Sequence, residues 1–233
     1  MKVLYTGTKW LFILCLPILL LTASLGWAVN SLWLYKYCFQ KYSVSQTTGL
    51  TEVELDKVAT GLIDYFNSGE EYISITVVKD GKPFVLFNEQ EVAHLRDVKG
   101  LIWLDYYLLL GTLVYAVGYA GVSLIWRKRR YWRRLAWEVV GGGSLTLALM
   151  LALGLGIILN FDQLFLQFHL LSFSNEFWSA EGYMLLLFPE GFFYDAAMFC
   201  ALVTAGLAII LGGAAGNYLV FTKSKVTLTK LQE

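Results

Sequence analysis

Histidine is almost absent from this chain: His94 and His169 are the only two among 233 residues. Cysteine is nearly as rare, and the spacing of Cys15, Cys38 and Cys200 fits neither a disulfide framework nor a zinc site. Charged residues make up 15% of the sequence, hydrophobic residues make up 57%, and the mean hydropathy is +0.57. A soluble domain does not have this composition, so the sequence indicates a polytopic membrane protein.

The familiar motifs of a serine or cysteine nucleophile are also missing. The sequence contains no Gly-x-Ser-x-Gly elbow and no Ser-x-x-Lys, and nothing near Cys38 in the sequence would activate its thiol. Lys plus Arg and Asp plus Glu both number 18, so the net charge points to no particular partner. If the chain is an enzyme, its substrate brings the nucleophile and the histidines transfer protons.

Four apolar stretches are each long enough to cross a bilayer, which takes about 20 residues. They cover residues 10–34, 101–126, 135–159 and 192–221. Lys2 and Lys9 precede the first stretch as in a signal peptide, but its apolar run is too long for one. We therefore predict a retained signal anchor over residues 1–34 and a membrane all-α core of four transmembrane helices.

Basic residues predict the orientation of these helices. Six of them crowd the short loop 127–134, and others flank the first span and follow the last one in the tail 222–233. With four spans, all of these fall on one side, which the positive-inside rule makes the cytoplasm. Residues 35–100 and 160–191 are then extracytoplasmic. The basic loop could instead bind nucleic acid or anionic lipid, but orientation is the common role of such a loop, and no nucleic-acid partner is expected.

The first extracytoplasmic segment, 35–100, contains signals of a small α+β cap between the first two spans. Thr51 and Glu54 match a helix-capping box, and apolar residues then recur at helical spacing. Two β-prone runs, Tyr72–Val78 and Pro83–Phe87, flank the turn signal of residues 79–82 and predict a hairpin.

A second capping pattern follows the hairpin. Asn88 and Glu91 predict a helix from Glu89 that carries His94 toward the second span. Asp97 lies three residues after His94, so on a helix the two share a face, and the carboxylate could orient the imidazole.

The second extracytoplasmic segment, 160–191, is unusually apolar for a loop, with His169 in its middle. We predict that it lies in the membrane interface or dips in from outside. Both histidines then lie at the outer border between water and lipid. Each alone is more simply an ordinary polar residue, and the pair carries the functional interpretation. Metal binding is not expected, because the available third ligands, Asp97, Asp162 and Glu176, have no familiar spacing.

Two stretches around the histidines resemble the signatures of one known family. The first is Phe87-Asn-Glu-Gln-Glu-Val-Ala-His94-Leu-Arg-Asp-Val-Lys99. The second comprises Phe168-His169, Asn175-Glu-Phe-Trp178 and Phe188-Pro-Glu-Gly-Phe-Phe193. These motifs, together with four spans, an outer cap and an apolar outer loop, resemble the bacterial lipoprotein intramolecular transacylases (Lit) and their integral-membrane relatives.

The resemblance implies a reaction without a cofactor at the outer leaflet of the bacterial cell membrane. The sn-2 acyl chain of a diacylglyceryl-modified cysteine moves to the α-amino group of that cysteine, which gives a lyso-form lipoprotein. The partners would be diacylglyceryl-modified lipoproteins and membrane lipid. The resemblance assigns catalysis to His94 and His169. We add four candidate substrate-binding residues from the matched motifs: Arg96, Asp97, Asn175 and Trp178.

Two other functions stay open at this point. The chain could be a non-enzymatic envelope protein, a sensor or partner subunit whose cap binds a protein. It could also be a lipid hydrolase in which a histidine activates water. The multi-pass topology, with both termini cytoplasmic, is common to all three.

Overall fold

The computed structural model describes residues 2–125 and 130–230, with side chains described over 6–125 and 131–222. In chain order its elements are α1 (Lys2–Val29), α2 (Leu32–Lys41), α3 (Val44–Thr48), α4 (Glu52–Asn67), β1 (Thr76–Lys79), β2 (Lys82–Val85), α5 (Glu89–Ile125), α6 (Arg130–Ser172), a 3₁₀ helix (Phe177–Ser179), α7 (Tyr183–Leu187) and α8 (Glu190–Lys230).

Four of the described helices, α1, α5, α6 and α8, are long and apolar enough to cross a membrane. This confirms the predicted membrane-spanning helical core. The described helices also extend beyond the predicted spans. At 37 residues, α5 is about 55 Å long, whereas the apolar core of a bilayer is about 30 Å thick. One continuous helix therefore joins the predicted second span to the segment that carries His94.

Parts of the predicted basic loop and tail, Arg127, Lys128 and Arg129 with residues 231–233, lie outside the described residues. The last part of the predicted loop differs from the prediction, because α6 already begins at Arg130. Arginine and leucine are good helix formers, and no glycine or proline interrupts residues 130–140, so the helix starts before the apolar run. The first helix ends earlier than predicted, at Val29, and α2 follows from Leu32.

The chain forms two compact units, and each contains part of all four long helices. The first consists of Met1–Ser24, Tyr106–Gly154 and Cys200–Glu233. Its core includes Phe12, Leu16 and Ala116. Helix α6 approaches α1 closely at Gly142, where an added Cβ would lie only 2.9 Å from the Cβ of Leu16.

The second unit consists of Leu25–Asp105 and Leu155–Phe199. Its helix α4 starts as predicted, with the Thr51 hydroxyl accepting the Glu54 N–H, and buries the apolar face that includes Leu55, Val58 and Leu62. Strands β1 and β2 pair in antiparallel register from Thr76–Val85 to Lys79–Lys82. Both central turn residues, Asp80 and Gly81, have positive φ, as the tight hairpin turn requires. The predicted hairpin is confirmed, with strands shorter than the runs Tyr72–Val78 and Pro83–Phe87.

The segment predicted as an apolar loop, 160–191, is helical over its first part. Asn160 leaves the helical region (φ −162°, ψ 74°) and kinks α6. Its side-chain oxygen accepts the Gln163 N–H at 3.3 Å, which caps a new helical stretch that runs to Ser172. The spacing of Phe161, Leu164, Phe165 and Phe168 suits a helix, which explains the difference. The 3₁₀ helix and α7 cover much of the remainder.

Candidate active site

His94 lies in the second turn of α5, and the start of this helix is fixed by a complete capping box. Asn88 Oδ1 accepts the Gln90 and Glu91 N–H groups, both at 3.0 Å, while a Glu91 carboxylate oxygen accepts the Asn88 N–H at 2.8 Å. The predicted cap is therefore confirmed. Because the helix cannot slip at its start, the His94 side chain has a defined direction. It is 5% exposed.

His169 lies near the end of α6, beyond the kink, and is 6% exposed. Its Nδ1 is 2.8 Å from the carbonyl oxygen of Phe165, one helical turn earlier. A carbonyl can only accept a hydrogen bond, so Nδ1 carries the proton. In the neutral ring, Nε2 of His169 is then the nitrogen with a free lone pair.

The structure brings the two histidines together. Their ring centroids are 6.3 Å apart and the ring planes are inclined by 26°. They come from different helices, α5 and α6, and both belong to the second unit. Two roughly parallel imidazole rings at this spacing can both contact one small group placed between or beside them.

Aromatic side chains enclose the pair. Phe165, Phe168 and Trp178 pack on His169, with ring centroids 4.2, 5.3 and 4.8 Å away. Phe173 contacts both histidines, at 4.7 Å from His94 and 5.5 Å from His169. The rings are therefore shielded from water, in surroundings of low polarity where proton-transfer and charge effects are strong.

One ring nitrogen in this enclosure has no partner. Nδ1 of His94 is buried and makes no hydrogen bond to any described residue. An unpaired buried polar atom costs about 1–3 kcal/mol, so its presence calls for an explanation. A substrate group that hydrogen-bonds this nitrogen would supply one.

The side chains of Asp97, Asn175 and Trp178 are connected near the histidines. Asn175 Nδ2 donates to Asp97 Oδ2 at 2.9 Å, and Asn175 Oδ1 accepts the Phe177 N–H at 3.1 Å. Asn175 thereby holds the start of the 3₁₀ helix that carries Trp178. Among the described side chains, Asp97 makes no hydrogen bond to His94, in contrast to the predicted role as the group that orients this imidazole.

Arg96 is a predicted site residue whose contacts do not include the histidines. Its guanidinium pairs with Glu71 at 2.7 Å and lies over the ring of Tyr72. On a helix, successive residues are about 100° apart, so Arg96 and Asp97 face different neighbours. Arg96 is therefore separate from the histidine pair.

Sequence reasoning missed the second role of Glu91. This carboxylate is 1% exposed, and besides capping α5 it accepts the Met184 N–H at 2.5 Å, at the start of α7. Gly182 allows this contact, because an added Cβ would overlap the carboxylate. Asn88 Nδ2 also donates to the Glu181 carbonyl at 3.2 Å. The start of α5 thus fixes both His94 and the segment that follows Trp178.

The described residues contain no group of three His, Cys, Asp or Glu side chains placed to share a metal ion. Cys38 is fully buried, and burial, followed by the nearby charge of Asp195, raises the pKa of its thiol to about 11. A thiol in these surroundings stays protonated at neutral pH and is a poor nucleophile. The histidines are therefore the reactive groups of this unit that geometry places side by side.

Comparison with known proteins gives a consistent result. The sequence matches the family model described as "Lipoprotein intramolecular transacylase Lit" over residues 10–193. The structure is similar to the in meso structure of the membrane integral lipoprotein intramolecular transacylase Lit from Bacillus cereus: the TM-score is 0.79, the identity is 22%, and the match covers 97% of this chain and 100% of that chain.

Two further structures of the Bacillus cereus protein, with a histidine-to-arginine or a histidine-to-alanine mutation, give TM-scores of 0.75 and 0.74. Both are 22% identical, and the matches cover 97% of this chain and 98% and 100% of those chains. At this identity the likeness shows a shared fold. No curated protein sequence matches significantly.

The double role of Glu91 predicts a specific instability. In Glu91→Ala, the N–H groups of Asn88 and Met184 lose a charged acceptor, which should cost about 2–3 kcal/mol. We expect faster hydrogen–deuterium exchange over Tyr183–Leu187 and a lower melting temperature in detergent. Glu89→Ala is the matched control, because Glu89 lies in the same first turn but is exposed. Equal exchange over α7 in the two variants would contradict the assignment.

Proposed function

The chain belongs to the Lit family of lipoprotein intramolecular transacylases, and on that premise we propose its reaction. It moves the sn-2 acyl chain of a diacylglyceryl-modified cysteine to the α-amino group of the same cysteine and releases a lyso-form lipoprotein. The observation that supports this proposal best is the buried pair of facing histidines, His94 and His169. Such a pair suits a reaction in which the enzyme moves protons and the substrate carries the nucleophile.

The bonds of the reaction balance without any other reactant. The neutral α-amino nitrogen attacks the ester carbonyl, a C–N bond forms, and the bond to the glyceryl oxygen breaks. One proton leaves the nitrogen and one is needed by the departing glyceryl oxygen. An α-amino group has a pKa near 8, so a base that accepts its proton during attack assists the step.

We assign the base to His169. Its Nδ1–H is held by the Phe165 carbonyl, which leaves Nε2 free to take the amine proton and return it to the glyceryl oxygen. The same hydrogen bond stabilises the ring while it is positively charged. Acid–base help of this kind typically contributes about 10²–10⁴-fold.

His94 is assigned to the developing charge on the ester oxygen. Its unpaired Nδ1 is buried beside His169, so it can meet a substrate atom without first giving up a protein partner. A hydrogen bond offered to the oxyanion in a dry site stabilises the transition state more than the ground state. For this role His94 carries a proton on the nitrogen that faces the oxyanion.

The remaining site residues position the reactants. The Asp97–Asn175 hydrogen bond and the 3₁₀ helix hold Trp178 against His169, and these side chains form the substrate's surroundings. Both imidazoles are nearly covered, so Phe173 and Trp178 move aside when the acylated cysteine enters. Their return around the substrate excludes water, which favours N-acylation over hydrolysis of the ester.

We further propose that this site faces the outer leaflet of the cell membrane, with both chain termini in the cytoplasm. The distribution of basic residues supports this orientation, since six of them occupy residues 127–134. The substrate class agrees with it, because lipid-modified cysteines of exported proteins lie at the outer surface.

The orientation predicts which positions an impermeant maleimide reaches in intact cells. A Glu89→Cys variant should be labelled before lysis, and Thr222→Cys only after lysis. The background should be low, because the native Cys15, Cys38 and Cys200 are all buried. Labelling of Glu89→Cys only after lysis would contradict the proposed topology.

The acyl-transfer proposal predicts the products formed in a host that lacks the activity. Cells expressing the wild-type chain should yield lipoprotein N-terminal peptides with one N-acyl chain and a free sn-2 hydroxyl, measured by mass spectrometry. His169→Ala should reduce conversion by about 10²–10⁴-fold through loss of the base. His94→Ala should reduce it by a comparable or smaller factor, because it removes one donor to the oxyanion. The surface variant Lys36→Gln serves as the mutagenesis control.

The same assay separates the competing functions. Free fatty acid without N-acyl peptide would identify a hydrolase, and an unchanged lipid profile with the wild-type chain would favour the non-enzymatic sensor or partner subunit. Full conversion by both histidine variants would contradict the proposed site even if the wild-type chain is active.

A further inference from the structure

An open, shallow cavity of about 360 Å³ lies beside α5, and neither histidine lines it. One side is formed by residues 68–71, and the other by the face of α5 that carries Arg96, Lys99 and Trp103. These three residues follow at intervals of three and four, so they share one helix face. The acyl-transfer site uses none of them.

Lys99 gives the inner wall of this cavity a buried positive charge. The residue is 9% exposed, and its ammonium donates to the Glu70 carbonyl at 2.6 Å and to the Ser68 hydroxyl at 3.3 Å. It also lies 4.2 Å from the centroid of the Tyr65 ring. Within the described part of the chain, no carboxylate forms an ion pair with Lys99. A nearly buried ammonium with neutral partners favours a negatively charged ligand.

The exposed rim of the cavity carries negative charge. Glu70 is exposed, and Glu71, which pairs with Arg96, has a side chain that is 57% exposed. The Arg96 side chain is 53% exposed. The lining of the cavity therefore combines a buried cation, Lys99, with two exposed carboxylates, one of which is paired with Arg96.

The cavity lies where α5 changes from polar to apolar. After Lys99, Asp105 is the only charged residue before the end of the helix at Ile125. Trp103 marks this border, with its indole Nε1 donating to the Phe66 carbonyl at 3.1 Å. Tryptophan favours the level of the lipid headgroups in membrane proteins. The mouth of the cavity is therefore placed where headgroups are found.

We propose that this cavity binds the headgroup of an amine-bearing phospholipid. The phosphate lies at Lys99 and Arg96, and the ammonium group faces Glu70 and Glu71. A headgroup with a phosphate and no amine meets the acidic rim without compensation, and a lipid without phosphate leaves Lys99 without a counter-ion. This site depends only on insertion of the chain in a membrane and is independent of the acyl-transfer proposal.

The test uses the full-length protein in detergent micelles and native mass spectrometry of lipid adducts. The probes are dioctanoyl phosphatidylethanolamine, dioctanoyl phosphatidylglycerol and dioctanoylglycerol. Exposed charge pairs are individually weak, so we expect phosphatidylethanolamine to bind about two- to fivefold more tightly than phosphatidylglycerol. Dioctanoylglycerol should bind most weakly.

Variants test which residues cause the preference for phosphatidylethanolamine. The double variant Glu70→Gln/Glu71→Gln should lose the preference for phosphatidylethanolamine over phosphatidylglycerol. Asp56→Asn is the matched control, because it removes a carboxylate from another surface ion pair, with Lys36, and should keep the preference. Lys99→Met should lower the binding of both phospholipids to the level of dioctanoylglycerol. Circular dichroism checks that this variant is folded.

Three results would overturn the proposal. One is equal binding of the three lipids by the wild-type protein. Another is a preference for phosphatidylethanolamine that survives in the Glu70→Gln/Glu71→Gln variant, which keeps the backbone carbonyl that Lys99 binds. The third is displacement of the phospholipid by an unlipidated lipoprotein N-terminal peptide, which would assign the cavity to a protein ligand.

Discussion

The imidazole rings of His94 and His169 are buried among aromatic side chains, where each polar ring nitrogen requires either a partner or a function. His169 satisfies one nitrogen within its own helix, through the Phe165 carbonyl. His94 leaves Nδ1 without a partner among the described atoms. Nδ1 of His169 therefore bonds within the protein, whereas Nδ1 of His94 is available to a substrate. The proposed division of labour between the two rings follows from this difference.

Two carboxylates on the first turns of α5 hold the surroundings of the histidines in place. Glu91 accepts the Met184 N–H, and Asp97 accepts from the Asn175 side chain. They lie before and after His94 in the sequence, so one short stretch of helix positions an imidazole and the segment that covers it. Because α5 runs without a break from Glu89 to Ile125, His94 lies on a long continuous helix and not on a loop.

Local chemistry made much of the second unit predictable. The caps at Thr51 and Asn88 define helix starts from a few neighbouring residues, and Asp80-Gly81 defines the hairpin turn in the same way. The pairing of the histidines was predicted less directly, through the count and direction of the membrane spans. The spans place His94 and His169 at the same membrane border but do not define the distance between them.

The remaining features depend on contacts between distant residues. The Asp97–Asn175 bond joins positions 78 apart, and no local pattern separates it from the expected Asp97–His94 contact. Arg96 was grouped with the site because it lies in the first matched motif, although its partner is Glu71. The kink at Asn160 did have a local signal, an asparagine followed three residues later by glutamine, at the predicted border between the third span and the outer segment.

The central claim is that His94 and His169 act as one catalytic unit, and a double-mutant cycle tests it most directly. Initial rates of N-acyl peptide formation are measured for the wild-type chain, His94→Ala, His169→Ala and the double variant. Neighbouring residues that serve one transition state are coupled, so the double variant should be less slow than the product of the two single losses predicts. Rate losses that multiply in the double variant would show two independent contributions and contradict the claim.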